Sequence, residues 1–429
     1  MLVRSVFHFV LFVPFLWLTI LMNFEAAVEY LLSLGHETLA IKLGLRNTEL
    51  LLNALDNPER AFQSVQIAGT NGKGSTAAMF DSICRAAGIK TGLYTSPHLV
   101  SITERIKFSG IEITRKDFAA CATTVREVSE QLEARPTFFE QVTAIALLAF
   151  RDAQIELAIL ETGLGGRLDS TTAANAQIVA ITQIALDHQE YLGNTIASVA
   201  SEKAAIIRPG VRAVIGRQPY PEALEVLLAR CKQTGVTPIL VDDDSYSNAA
   251  RLTLSLRGRH QIENAAVAIH LAELLGIPHA AIVRGLETTQ HPGRLELLPH
   301  RPAFLIDGAH NPAGAESLRA YLDEFAKRPL TLVFGAMRDK QLDEIGEILF
   351  PVADVLVLTT VNNPRSATLE MLEPVAMRYA QGRILKSDGS TIALQTALAN
   401  TRGEGMICVA GSLYLVGELR PQILGTQND

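Results

Sequence analysis

The sequence predicts an α/β protein of two domains, each built on a mostly parallel sheet, the first larger than the second. Three observations predict it. Short apolar runs rich in Val and Ile alternate with stretches of helical periodicity, the pattern of parallel strands joined by crossover helices. The alternation breaks at "HPGRLELL" and then restarts, which sets a boundary near Leu295. Finally, 429 residues, 48% hydrophobic and 19% charged, supply core for two or three domains.

In the first domain, "SVQIAGT" reads as a strand feeding a helix over Gly74–Ala87. "KTGLYTS", "LAILETG", "AQIVAITQIAL" and "VRAVIG" read as further strands, with "IASVASEKAAII" as the helix before the last. In the second, "AFLIDGAH" leads into helix "AGAESLRAYLDEFAKR", "LTLVFGAM" into "QLDEIGEIL", and "ADVLVLTT" into "LEMLEPVAMRYA"; "GMICVAGS" closes the series. The domains are therefore expected at residues 22–295 and 296–429.

Residues 1–21 stand apart. "VFHFVLFVPFLWLTILM", Val6 to Met22, follows Arg4 as an anchor or signal would, but it is marginal for spanning a bilayer and is interrupted by His8 and Pro14. "MNFEAAVEYLLSLG" then opens an ordinary amphipathic helix at a second methionine. The expectation is that Met22 is the start and residues 1–21 an upstream extension, with a membrane anchor as the alternative. A net charge of −7 without a sustained basic run argues against nucleic acid as partner. Cys84, Cys121, Cys231 and Cys408 lie far apart, as free thiols in a reducing, cytoplasmic compartment would.

"IAGTNGKGSTAAMF", Ile67 to Phe80, carries the chemistry. It fails the ordinary phosphate-loop spacing: Ile67 stands where a glycine is expected, and Gly74 separates Lys73 from the hydroxyl of Ser75. Yet a strand ends, Gly69, Gly72 and Gly74 permit a tight turn, and a helix begins. The N–H groups of Gly69, Thr70, Asn71 and Gly72 can form an anion nest at a helix N-terminus, with Lys73 reaching the outer phosphates and Ser75 or Thr76 capping or touching metal. Hard oxygen ligands for magnesium are then expected nearby. Ser96, Glu161 and His188 each follow or end a predicted strand, and ligands bind at that carboxyl edge. Taken singly, Ser96 could cap a turn before Pro97, Glu161 could pair with Arg167, and His188 could be a loop histidine.

The loop "GTNGKGS" resembles that of the Mur ligase superfamily, and its form resembles the folylpolyglutamate synthase/dihydrofolate synthase family in particular. The resemblance continues, in order, through "YTSPHL", "ERI", "ETGLGGRLDST", "ALDHQEYLG", "SEKAAIIRPG", "HPGRLE" and "DGAHNP". It implies an N-terminal P-loop ATPase domain with a mostly parallel sheet and a smaller, Rossmann-like C-terminal domain. Ser96 and Glu161 are implied to hold a first magnesium and His188 a second. Lys203, by itself a solvated or salt-bridged lysine beside Glu202, is implied to react with carbon dioxide and become N6-carboxylysine, an anionic metal ligand. Asn264 would offer its amide to adenine, Arg294 engage phosphates, Asp307 accept ribose hydroxyls, and His310 approach the nucleotide or incoming amine. On their own residues, Asn264 reads as an N-cap at a helix start, and Asp307 and His310 as an ordinary strand–helix turn.

On the acceptor side the resemblance implies pteroate contacts from Leu168, Asp169, Ser170 and Thr137, and a pterin-side position at Ala40, Ile41, Lys42 and Leu43. Lys42 stands where an acidic or polar residue is expected, and Ser170 and "TTAAN" differ slightly from the usual "DATN". The implied reaction is ATP-dependent addition of L-glutamate to dihydropteroate and to the γ-carboxylate of tetrahydrofolate by a monomer. One alternative is a Mur ligase acting on a UDP-linked cell-wall precursor. Only about fifty residues separate Met22 from Lys73, too few for the uridine-binding domain of such enzymes. The other, a non-catalytic ATP sensor, leaves Glu161, His188, Arg294 and the second domain unexplained.

Overall fold

A computed structural model describes residues 21–35 and 44–425. Residues 1–20 and the expected pterin-side positions Ala40–Leu43 lie outside the described residues. Among those described, no helix is long and apolar enough to cross a membrane.

The first sheet has eight strands: β1 (Gln63–Ala68), β2 (Thr91–Tyr94), β3 (Ile106–Phe108), β4 (Ile111–Glu112), β5 (Leu157–Glu161), β6 (Ile178–Ile181), β7 (Arg212–Ile215) and β8 (Ile239–Leu240). Their order is β4-β3-β2-β5-β1-β6-β7-β8. All pairings are parallel except the edge hairpin, where β3 runs against both β2 and β4. Central strands are buried on both faces, as a parallel sheet clad in helices requires. In β5, Leu157 and Ile159 face the helices Lys73–Ala86, His260–Leu274 and His279–Thr288. Its alternate residues Ala158 and Leu160 face Arg115–Ser129 and Phe138–Asp152.

The second sheet comprises β9 (Glu296–Leu298), β10 (Ala303–Ile306), β11 (Leu330–Phe334), β12 (Val355–Thr359), β13 (Arg383–Ser387) and β14 (Met406–Ala410), in the order β13-β12-β11-β14-β10-β9. Only β9, at the edge, is antiparallel to its neighbour. Leu305, Leu332 and Cys408 supply one core face; Phe304, Val333 and Ile407 supply the other. The carboxyl ends of β1, β5 and β6 open onto the same cleft as the end of β10.

Two expectations are corrected. The run at residues 176–186 is a strand only to Ile181. Beyond it the chain turns to hold the phosphate loop: Thr182 Oγ1 donates to the Asn71 carbonyl at 2.7 Å, and the Gln183 carbonyl accepts from the N–H groups of Thr70 and Asn71. Asn264 is not at a helix start but inside the helix His260–Leu274, one turn beyond its first residue.

Candidate active site

The turn from β1 into Lys73–Ala86 is built for glycine. Gly69 has φ +152°, and a Cβ there would lie 1.9 Å from Thr182 Oγ1. Gly72, at φ +86°, would drive a Cβ to 2.1 Å from Asn264 Oδ1. The missing loop hydroxyl also has a reason: over Gly74 sit Glu161 Oε2 and His291 Nε2, at 3.3 and 3.0 Å from where a Cβ would stand. Lys73 Nζ folds back to donate to the carbonyls of Gly69 and Thr70, both at 3.1 Å. Burial lowers its pKa, opposed by the charges of Glu161 and Asp187. Ser75 Oγ accepts a hydrogen bond from Gln261 Nε2 at 3.3 Å, and Asn264 donates to Gln261 Oε1 at 3.0 Å. Thus helix His260–Leu274 braces the loop.

Glu161, ending β5, is buried, and the Ser96 N–H donates to its Oε2 at 3.2 Å. Burial raises the pKa of its carboxyl, opposed chiefly by Lys73. The bland pairing with Arg167 does not occur, because Arg167 is turned outward onto Glu202 at 2.9 Å. Among the described residues no three His, Cys, Asp or Glu side chains gather as a metal cluster. The Glu161 carboxylate with the neighbouring Ser96 hydroxyl offers hard oxygen donors of the kind magnesium takes, since it uses one or two carboxylates and fills its octahedron with phosphate and water. His188, in the left-handed region at φ +50°, is held neutral: burial pushes its pKa down to about 3, against the pull of Asp187.

Asp187 is where the two domains meet. Its Oδ1 receives Lys340 Nζ at 2.6 Å, both side chains being nearly closed to solvent. Its Oδ2 receives Asn311 Nδ2 at 3.2 Å and lies 3.6 Å from His310 Nε2. Burial favours the protonated carboxyl, but the His310 contact and the Lys340 charge outweigh it and hold the pKa well below the usual range. Asn311 Nδ2 also donates to Asn71 Oδ1 of the phosphate loop at 3.1 Å. His310 Nδ1 lies 2.7 Å from the Gly308 carbonyl, which can only accept, so Nδ1 is the donor there.

Lys203 does not point into solvent. It is 4% exposed on the helix Ile196–Ala204 and has no hydrogen-bond or ion-pair partner among the described residues. Burial, with Lys73 adding repulsion, pushes its pKa down to about 7. Lys73, Lys203, His188, Ser96, Glu161, Asn264, Arg294, Asp307 and His310 all line one cleft between the sheets. Asp307, one residue past β10, accepts from the N–H groups of Leu295 and Ala309, both at 2.8 Å, leaving lone pairs for further donors.

The acceptor-side residues are spent differently. Asp169 accepts from the N–H groups of Gly163, Leu164 and Thr171, so its buried carboxylate shapes the glycine loop from within. Ser170 is buried at the start of the 3-10 turn Ser170–Ala174, and Leu168 lies half-buried beside it. Thr137 caps the helix Phe138–Asp152 in a reciprocal capping box with Glu140. Sequence reasoning missed Gln261, Lys340 and Asn311. Lys340 follows β11 in "MRDK", a position that the strand-end rule applied to the first domain would have reached.

The fold and cleft define a two-domain α/β protein of Mur ligase type. Residues 67–218 match the Mur ligase middle domain, and residues 293–413 the Mur ligase glutamate ligase domain. The chain belongs to the dihydrofolate synthase/folylpolyglutamate synthase family. It is 34% identical over 419 residues to the dihydrofolate synthase/folylpolyglutamate synthase of Mycobacterium tuberculosis, covering 86% of this chain and 85% of that one. To the Bacillus subtilis protein of the same name it is 30% identical, covering 91% and 97%. It spans about half the length of a Haloferax volcanii relative, named a probable bifunctional folylpolyglutamate synthase/dihydropteroate synthase, with 34% identity over 93% of this chain. The solved Mycobacterium tuberculosis folylpolyglutamate synthase complexed with ADP superposes with TM-score 0.85 at 33% identity, over 93% of this chain and 99% of that one. Escherichia coli FolC in complex with DHPP and ADP gives TM-score 0.85 at 29% identity, over 95% and 99%. A Yersinia pestis bifunctional enzyme with Mn, AMPPNP and L-glutamate bound gives 0.83 at 27%, over 94% and 98%.

Proposed function

We propose that this protein is an ATP-dependent amide ligase that adds L-glutamate to dihydropteroate and to the γ-carboxylate of tetrahydrofolate. One observation carries the reading: the phosphate loop, a buried carboxylate, a buried neutral-prone lysine and a second-domain aspartate face one cleft that closes through Asp187. The relatives bound to ADP and to AMPPNP with Mn and L-glutamate support a nucleotide, a divalent metal and glutamate here.

A substrate carboxylate oxygen attacks the γ-phosphorus of ATP, the bond to the β-phosphate oxygen breaks, and ADP leaves an acyl phosphate. The amine of L-glutamate then attacks the acyl carbon, expels phosphate, loses a proton and leaves an amide. Gly69–Gly74 and Lys73 seat the phosphates, with Ser75 at the helix start; Arg294 adds positive charge from the linker. Asn264 takes adenine, Asp307 the ribose hydroxyls, and His310, in the same cleft, stands close to the nucleotide or the incoming amine. Ser96 and Glu161 would hold one magnesium, and His188 with Lys203 a second, drawing charge from the transferring phosphoryl group. For that, the neutral Lys203 amine bonds to the carbon of carbon dioxide and gives up a proton, leaving an anionic carbamate. Leu168, Asp169, Ser170 and Thr137 serve the pteroate acceptor, and Ala40, Ile41, Lys42 and Leu43 its pterin side. Domain closure keeps water from the acyl phosphate. We place the enzyme in the cytoplasm as a monomer.

The test is direct. Enzyme, ATP, magnesium and L-glutamate are incubated with dihydropteroate in one tube and tetrahydrofolate in another, and products are weighed. One glutamate gained in both is expected; no gain in either by folded, ATP-binding protein defeats the reading. Lys203→Ala should be inactive and regain activity with short carboxylic acids, whereas failure of rescue removes the carbamate. A UDP-linked acceptor is disfavoured because the chain matches folate-branch relatives over nearly their whole length.

A further inference from the structure

We infer that Leu99 and Gly417 are positioning residues: through their contact, the seating of the second domain sets the loop that carries Ser96. This rests on the ligase reading, in which Ser96 and Glu161 form the metal side of the site. Leu99 belongs to the first domain's loop after β2, yet its side chain packs against the second domain's cluster that includes Phe304, Ile306 and Val416. Gly293 of the linker flanks it: a Cβ there would meet Leu99 Cδ1 at 3.2 Å and Val416 Cγ1 at 3.1 Å. Gly417 lies inside the helix Leu413–Gly425. A Cβ on it would stand 2.0 Å from the Leu99 carbonyl oxygen and 2.8 Å from the carbonyl carbon. Those are backbone atoms, which cannot rotate away. Glycine is a poor helix residue beside alanine, and the close approach of Leu99 gives this one its reason.

The loop can transmit the contact because it is stiffened from below. The Glu104 carboxylate accepts from the N–H groups of Leu99 at 2.8 Å, Val100 at 2.9 Å and Ser101 at 2.8 Å. Three residues upstream of Leu99, Ser96 donates its N–H to Glu161. A displacement at Leu99 is therefore delivered to the Ser96–Glu161 pair.

The test compares Leu99→Ala, which removes the apolar knob, Gly417→Val, which wedges the contact, and Gly425→Ala. The last adds a methyl where nothing lies within 4 Å and serves as control. Two quantities are read: the magnesium concentration giving half-maximal glutamate-dependent ADP formation, and the magnesium dependence of AMPPNP binding by calorimetry. Leu99→Ala and Gly417→Val should each raise both magnesium requirements by about tenfold, with much of kcat recovered at saturating magnesium, since a misplaced metal-side loop weakens alignment. Gly425→Ala should match the parent. A fall in kcat with an unchanged magnesium requirement would overturn the inference, because a merely structural role lowers the active fraction alone. If Gly417→Val does not fold, Leu99→Ala decides. If the parent forms no ADP on glutamate addition, the ligase reading fails, and the AMPPNP titration still decides the coupling.

Discussion

At the scale of single residues, Lys203 shows what a functional group costs. An amine with pKa about 7 in the folded chain is protonated far more readily when unfolded, so at neutral pH its burial works against the fold. Lys203→Met should therefore stabilise the ligand-free protein, by about 1–3 kcal/mol, while abolishing ligation; urea denaturation and the two-tube assay check both halves. Histidines set the acid limit. Burial, with Arg294 adding repulsion, holds His260 down to about 4 and His291 down to about 3, against an ordinary value of 6.5. Below that ordinary value the unfolded chain binds protons that the folded one refuses, so stability is lost as pH falls from about 6.5. Melting temperature should drop by several degrees between pH 7 and pH 5, and by less in His291→Gln. The loop glycines and the strand-end Ser96, Glu161 and Asp307 were legible as a chemical order along the chain. The isolation of Lys203 was not, because a lysine beside a glutamate gives no sign of which one faces inward; here Glu202 takes Arg167 and Lys203 turns in.

Among elements, the strands β1, β2, β5, β6, β7, β10, β11, β12 and β14 were readable because burial on both faces favours short, largely apolar runs rich in Val, Ile and Leu. The edges were not. β13, "RILKS", is half-exposed and carries two charges, and the hairpin of β3 and β4 is too short for periodicity. Its turn was nevertheless written in Ser109 and Gly110, both at positive φ, 46° and 88°, the geometry of a two-residue hairpin turn. Helix contacts were likewise hidden. Gly285 looks like a weak point in the helix His279–Thr288, yet a Cβ there would lie 2.4 Å from the Ile83 Cα in Lys73–Ala86. Gly285→Ala, favourable by helix propensity, should instead destabilise the first domain by about 3 kcal/mol, since backbone atoms offer no relief from overpacking. Equal or higher stability in urea would show that the two helices can part freely.

For the whole molecule, a two-domain chain was legible in the restart of the strand–helix alternation, but the seam between the domains was not, because its partners lie far apart in sequence. Asp187 and Lys340 are separated by 153 residues and meet at 2.6 Å. Lys340→Met should leave Asp187 with the His188 N–H and the Asn311 and His310 contacts, and lower glutamate-dependent turnover at least about tenfold. A double-mutant cycle with Asp187→Asn should give a coupling of about 2 kcal/mol or more; additive effects would mean the pair does not hold the domains together. The same seam has a consequence for ionic strength. Among the described residues its contacts include the Asp187–Lys340 ion pair nearly closed to solvent, the neutral amide pair of Asn311 and Asn71 and an apolar knob at Leu99, while the pair of Arg259 and Glu324, 3.1 Å apart, lies in the open where it contributes little. Mobile ions screen exposed charges within about a nanometre but act weakly on pairs they cannot reach. The nucleotide's own phosphates, approaching through open water, feel added salt fully. Raising potassium chloride should thus weaken capture of ATP well before it loosens the closed arrangement of the two domains.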